Sequence, residues 1–401
     1  MKKFMPVFFL IMFIIGTDTF LISPLLPILR EKYDITVDLS GWLVSSYALG
    51  YALFALIAGP ISDGFNRKKI MIFGLLSFSI FTFLCGTAST FESMLVFRFL
   101  SGVSAAFLTP QVWASIPILL PPNKVLQGMG IATAGLSVSQ MLGIPIGSYL
   151  ASTNWNTPFF VISIFSTLLL IPLIWTIPSI NPVNKKSQNG KSSIIKSYQN
   201  LLGASKARKT FMAYFIFQLG NFCAFSFLGT WLSDDYHFSV SQVGTAMLIL
   251  GLGNTLGSLL GAKVIQKVGQ FKSLIYGLII LSIFYSILAF LPNIIMVEVT
   301  FLLMFLITGM IFPLLMSLLQ SLSSTARGTI ASLSNAVMYS GTTVSGYVGG
   351  MLYASYGGFA AIGFFTSTMF LLSMILFITS GVFNKQTDSN LKQRKRKEEV
   401  C

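Results

Sequence analysis

Charge is scarce in this chain. Asp, Glu, Lys and Arg make up 9% of its 401 residues, against roughly 25% in soluble proteins. That is too little to coat a soluble body of this size. Histidine occurs once and cysteine three times. Cys85, Cys223 and Cys401 form no CxxC pair and no Cys/His cluster, which argues against a zinc-type site. None of them falls in an expected extracytoplasmic loop, so no disulfide is expected. No metal and no cofactor is expected from these residues. Apolar side chains dominate instead: 54% of the residues are hydrophobic, 37 of them phenylalanine. Lipid must be the main solvent of such a chain. Disorder, a secreted disulfide scaffold and nucleic-acid binding fall with the soluble reading, even at a net charge of +14.

A membrane-crossing helix needs about 20 mostly apolar residues. Twelve stretches qualify: 7–29, 42–61, 70–88, 93–117, 127–150, 158–177, 211–231, 242–261, 274–291, 294–318, 328–353 and 359–382. The first resembles a signal peptide, with Lys2 and Lys3 ahead of an apolar run. It is too long for one, lacks a small-residue cleavage site and carries Asp18 at its centre, so it reads as a retained helix. With twelve spans both termini share one side, and all but three of the 26 lysines and arginines fall there. The exceptions are Arg30 and Lys32 on the other side and Arg98 inside a span. This asymmetry predicts cytoplasmic termini in a bacterial cell membrane. It also explains the basic excess, which faces anionic lipid.

The expected organisation is a six-helix bundle over 1–177, a cytoplasmic loop over 178–210, a second bundle over 211–382 and a basic tail over 383–401. Within the loop, Ile194, Ile195, Tyr198, Leu201 and Leu202 fall at helical spacing among lysines, which predicts a short helix on the inner membrane surface. Gly190-Lys191-Ser192 invites a phosphate-loop reading, but the required upstream glycine is Lys185, so that reading fails. Uphill movement would then need an ion gradient. The halves repeat at an offset of 203 residues. Gly41, Gly50, Gly74, Pro110, Gly143 and Gly147 meet Gly244, Gly253, Gly277, Pro313, Gly346 and Gly350. Such duplication is a feature of secondary transporters, whose substrate site lies near midplane between the halves. The repeat is also uneven, because Asp18 maps onto Asn221 and Arg98 onto Phe301.

Several segments together resemble the major facilitator superfamily, in its twelve-span drug:proton antiporter branch. GPISDGFNRKK from Gly59 is similar to the family's loop motif through Gly59, Asp63, Arg67 and Lys68, with Asn66 where glycine is usual. Asn66 is expected to take the left-handed turn in its place. RFLSGVSAA from Arg98 resembles the span-four motif. Gly135, Gly143, Pro145 and Gly147 resemble the glycine/proline motif of span five, without its adjacent Gly-Pro. GTDTFLISPLLP from Gly16 is similar to span one of efflux proteins. The resemblance implies an all-α membrane protein of twelve transmembrane helices in two pseudo-symmetric six-helix bundles.

A carboxyl at mid-membrane is normally paired, hydrated or protonated. Asp18 is therefore the candidate proton carrier, with a structural hydrogen bond to Thr17, Thr19 or a neighbouring helix as the plainer alternative. The resemblance makes Arg98 its partner. Arg98 lies about 10 Å from the centre of its span at 1.5 Å per residue, so Glu298 competes for it. The loop motif implies a gate made of Gly59, Asp63, Arg67 and Lys68. Gly143, Pro145, Gly147, Gly253, Gly257, Gly346 and Gly350 read either as a rocking seam between halves or as ordinary close packing. Tyr51, Gln140, Gln218, Asn221, Asn254 and Tyr339 are candidate substrate contacts, with helix-to-helix bonding as the alternative. Trp42, Trp155 and Trp231 read as interfacial anchors.

The expected function is proton-coupled export of small amphipathic molecules, drugs or metabolites, by alternating access. A single chain in the bilayer would be the working unit, moving a small molecule against protons. Export of one endogenous metabolite (a sugar, nucleoside or metallophore) and import by symport remain alternatives. No nucleophile–base constellation lies in the spans and His237 sits in a loop, so an enzyme is not expected.

Overall fold

The computed structural model describes residues 3–180, 194–322, 327–356 and 358–383. Among them every regular element is helical. In chain order these are α1 (Met5–Tyr33), α2 (Val37–Ser40), α3 (Trp42–Gly64), α4 (Arg67–Thr87), α5 (Phe91–Leu119), α6 (Pro122–Val138), α7 (Ile144–Thr153) and α8 (Thr157–Thr176). They continue with α9 (Ile194–Gly203), α10 (Ser205–Tyr236), α11 (Val240–Val268), α12 (Gln270–Ile287), α13 (Ile294–Gln320), α14 (Arg327–Tyr356) and α15 (Phe359–Thr379). Eleven helical segments among the described residues are long and apolar enough to cross a membrane. The twelfth expected span is α14. At 30 residues it is about 45 Å long, but Ser, Thr, Tyr and Gly dilute its hydropathy. Those small and polar residues pack it against α3 of the other half.

The ends of the helices follow local chemistry. Thr90 accepts from the Ser93 amide at the start of α5, and Asn293, at the equivalent place in the repeat, accepts from the Met296 amide at the start of α13. Each supplies a side-chain acceptor to an amide that has no partner in the first turn. Span five is interrupted between α6 and α7 by a wide π-helical turn, Ser139–Gly143. Pro145 explains it, because its ring would collide with the carbonyl four residues back in a regular helix. Asn66 corrects an expectation. It sits at φ −67° and ψ 114° and caps α4 by accepting from the Lys68 and Lys69 amides. The left-handed residue is Gly269 (φ 91°), its counterpart ahead of α12.

The repeat is physical. A Cβ on Gly50 would strike the Phe99 carbonyl, and one on Gly253 would strike that of Leu302, the same pair shifted by 203. Likewise Gly74 packs on Leu108 and Gly277 on Ile311. Between α4 and α8, Ser79 donates to the Ser163 carbonyl at 2.8 Å, and between α12 and α15 Ser282 donates to the Ser367 carbonyl at 3.3 Å. In both halves, then, the crossing points are fixed by residues without bulk and by hydroxyls that find a carbonyl inside the bundle.

One further boundary, the burial of one short helix and one side chain differ from expectation. α10 begins at Ser205, so Lys206, Arg208 and Lys209 ride on its first turns rather than in a loop. α9 exists where a surface helix was expected, but Leu201 is buried and Tyr198 and Leu202 pack on the core. Burial raises the Tyr198 hydroxyl above its ordinary range, and Ser332 of α14 offers it a hydrogen bond. Trp231 is not an interfacial anchor. It is 1% exposed, stacked on Phe359 at 4.6 Å, with its indole N–H donating to Asp235 at 2.8 Å. An indole needs an apolar body around it and one acceptor at its rim, and the bundle interior supplies both. Trp155 keeps rim company, against Tyr33 and Lys32, and Trp42 lies beside Tyr347.

Candidate functional site

The centre of the first half holds a buried ion pair. Arg98 Nη1 donates to Asp18 Oδ2 at 2.8 Å, and each side chain is 1% exposed. Asp18 is at mid-length of α1, and the long arginine side chain closes the axial distance that made contact doubtful from spacing alone. Arg98 meets Asp18, not Glu298, which is half-buried on α13. Its Nε donates to the Leu43 carbonyl at 3.3 Å, and its guanidinium carbon lies 4.5 Å from the Tyr47 ring centre. An arginine cannot shed its charge, so a carboxylate, a carbonyl and an aromatic face together replace water around it. Asp18 Oδ1 has no hydrogen-bond partner. Thr17 and Thr19 do not serve Asp18, because they donate to the Phe13 and Ile15 carbonyls of their own helix.

Beside this pair, between the halves, lies a cavity of about 20 Å³, room for one water molecule. Its walls include Thr19, Tyr47 and Arg98 from the first half and Phe225, Ser226 and Tyr339 from the second. Tyr51 and Tyr339 stack across the boundary with ring centres 3.7 Å apart and planes 21° from parallel. Gln140, in the π turn, accepts a short hydrogen bond from Asn254 on α11. Gln218 donates to Tyr214 on its own helix at 2.7 Å, leaving its carbonyl oxygen without a partner. Asn221 is half-buried on α10. Of the six expected substrate contacts, the structure thus pairs four across the halves, Tyr51 with Tyr339 and Gln140 with Asn254. Tyr47 was missed. Its position one turn before Tyr51 on α3 was the available signal. A second cavity, about 470 Å³, lies wholly within the first half between α1, α7 and α8. It is apolar, and only Thr17 relates it to the pair.

The boundary is tight at and beyond midplane, on the side away from the termini. Ser23 donates to the Phe225 and Ser226 carbonyls at 2.6 and 3.1 Å, and Ser45 donates to the Thr343 carbonyl at 2.6 Å. Farther out, Arg30 meets Asp234 at 3.3 Å, and Tyr353 donates to the same carboxylate at 3.2 Å. Of the glycines and proline read as a seam, Gly346 and Gly350 face Gly41 and Asp38 across the boundary, and Pro145 faces Gly244. Gly143 and Gly147 instead pack on α1 within the first half, and Gly253 and Gly257 on α13 within the second. For these four the plain packing alternative describes where they sit.

At the termini side, Arg67 Nη1 donates to Gln111 of α5 at 3.0 Å and Lys68 Nζ to the Ile174 carbonyl of α8 at 2.6 Å. Both contacts stay inside the first half. Gly59 and Asp63 belong to the last turns of α3, and their side chains lie outside the described residues.

Comparison with known proteins places this geometry. A family model, the Major Facilitator Superfamily, matches residues 8–345 and 210–399. The MFS-type transporter YceJ of Bacillus subtilis (strain 168) is 55% identical over 372 residues, 93% of this chain and 95% of that one. Multidrug resistance protein 1 of the same organism is 29% identical over 60% of each chain. The crystal structure of a D-xylose-proton symporter superposes with a TM-score of 0.78 over 94% of this chain and 96% of the other, at 17% identity. That last likeness is one of fold.

Proposed function

Since this chain belongs to the Major Facilitator Superfamily and is thus a multi-pass membrane transporter acting on small molecules, we propose that it exports small amphipathic molecules from a bacterial cell in exchange for protons. The observation that carries this reading is the Asp18–Arg98 pair at the wall of the cavity between the halves. Asp18 is the group that takes the proton. Protonation cancels the charge that holds Arg98, which is left with the Leu43 carbonyl and the Tyr47 ring. The stack, the Gln140–Asn254 bond and the far-side contacts then hold the closed arrangement less firmly, and the halves exchange one opening for the other. Gly59, Asp63, Arg67 and Lys68 steady the opposite, cytoplasmic end of the same motion. Gly346, Gly350 and Pro145 form the seam about which the halves turn.

The drive is sufficient. One charge crossing 100 mV releases about 2.3 kcal/mol, roughly a fiftyfold gradient of a neutral substrate at about 1.4 kcal/mol per decade. Each pH unit adds about another decade. The multidrug and sugar-efflux names among the relatives support export, and the basic residues on the termini side support cytoplasmic ends.

The test uses purified protein in vesicles with an imposed pH difference. Wild type should accumulate substrate uphill while moving protons the other way. Asp18→Asn should lose that accumulation about a hundredfold and keep downhill exchange. Gradient-driven transport by the Asp18→Asn protein would end the proton-carrier assignment, and proton movement in the same direction as substrate would make the protein a symporter.

A further inference from the structure

The Tyr51–Tyr339 stack joins the two halves. Each ring comes from a different half and each is buried, at 1% and 9% exposure. At 3.7 Å and 21° they lie face to face, closer than the offset and edge arrangements that aromatic pairs usually adopt. Tyr47 flanks Tyr339 at 6.4 Å. Tyr47 and Tyr339 line the cavity, and Tyr51 lies behind them against the Tyr339 ring. Phe20, Phe222 and Phe225 line the rest, with the hydroxyls of Thr19, Ser23, Ser226 and Thr342 between them. No acidic side chain is among the lining residues, and the one charge there, Arg98, is committed to Asp18.

We propose that Tyr51 and Tyr339 are the two jaws of a sandwich and that the substrate is a planar, uncharged aromatic molecule which takes the place of their mutual stack. This rests on the central cavity being the transport site. When the halves part, the two rings lose each other's face. A flat ring system entering between them restores stacking on both sides. A bulky alicyclic molecule of the same size cannot do this, because it has no flat face to offer. A cation is disfavoured for an electrostatic reason. It would meet no free carboxylate in the cavity, and it would have to strip Arg98 from Asp18 and leave a buried guanidinium unpaired. The surrounding hydroxyls can orient a substrate through one or two hydrogen bonds without asking for charge.

Equilibrium binding to the purified full-length protein in detergent tests this, with three probes: phenazine (planar, neutral), ethidium (planar, cationic) and adamantanol (neutral, not planar). Wild type should bind phenazine at least tenfold more tightly than either of the others. Tyr339→Phe, which keeps the ring, should match wild type. Tyr339→Leu should bind phenazine about tenfold more weakly, which is about 1.4 kcal/mol, with adamantanol unchanged. Size-exclusion profiles of the two variants check that both are folded, and Tyr51→Leu repeats the test from the other jaw. Phenazine binding by both leucine variants within twofold of wild type would overturn the sandwich. So would ethidium or adamantanol equalling phenazine on wild type, or no phenazine binding at all. The coupling assignment is tested separately: binding in detergent needs no proton gradient, whereas Asp18→Asn is read only by its failure to concentrate substrate. Uphill transport by that variant would remove the proton role and leave the sandwich standing.

Discussion

The two halves of this protein share a backbone plan and differ in what they bury at its centre. In the first half the equivalent positions hold Asp18 and Arg98, locked together at 2.8 Å. In the second they hold Asn221 and Phe301. Phe301 is fully buried and lies 6.2 Å edge-on from Trp231, in an aromatic core with Phe359 and Tyr236. One half therefore keeps a costly ionic centre where its twin shows that an uncharged pair of residues fits the same fold. A buried ion pair is weak evidence for stability, since apolar replacements of similar size are often as stable. Its presence in one copy alone fits the role in the working cycle proposed for it. The turn before α4 and α12 shows a milder divergence: Asn66 caps its helix from an extended conformation, while Gly269 turns left-handed and offers no cap.

The strongest way to break the comparison is to erase it. Arg98→Ala leaves Asp18 buried without its counter-ion and should lower stability by about 3–5 kcal/mol. Combining Asp18→Asn with Arg98→Phe gives the first half the residues of the second. Thermal unfolding should show that this double variant recovers most of that loss, while vesicle assays show no gradient-driven transport. If the double variant is no more stable than Arg98→Ala, the ionic centre is structural after all.

A smaller effect separates glycines on the boundary from those inside a half. A Cβ on Gly257 meets the Leu306 carbonyl, within the second half, and a Cβ on Gly346 meets Ser45 and Gly41 of the other half. Both alanine variants should lose about 1–3 kcal/mol from overpacking. Only Gly346→Ala should also speed thiol labelling of a cysteine placed at the cavity by Thr342→Cys, because only it pries the halves apart. Equal labelling in the two would deny the boundary its place in the motion.

The smallest effect concerns the far-side ion pair. Arg30 and Asp234 are 25% and 32% exposed, so Arg30→Gln should cost under about 1 kcal/mol and raise the same labelling rate slightly. A large change in either measurement would show that the outer rim, rather than the buried centre, governs closure.

Much of the fold was legible because its causes are local or compositional. Apolar runs placed the spans, and the offset of 203 paired Gly50 with Gly253, which the structure shows packing on the equivalent carbonyls of Phe99 and Leu302. The errors have a common source. Trp231 looked like an anchor because it stands near a span end, yet neighbours from α13 and α15 bury it. Asn66 was read through the glycine it replaces, yet its side chain found two amides to cap. For Gly253 and Gly257 the sequence left seam and plain packing open, because spacing cannot tell which neighbouring helix a glycine faces.

The sequence by itself determined that this chain lives in lipid, that it is two copies of one six-helix plan, and that only the first copy carries charge at its core. Those are properties of hydropathy, charge and repetition, which need no partner to be read. The tertiary structure decided that Asp18 and Arg98 touch, that Tyr51 faces Tyr339, and that Ser23, Ser45 and Gly346 close the boundary while Gly257 does not. The physical reason is that each of these is a meeting of side chains far apart in the chain. Which pairs meet depends on how the helices rotate and slide against one another, and hydrophobic surfaces without direction leave that open until close packing and hydrogen bonds select one arrangement.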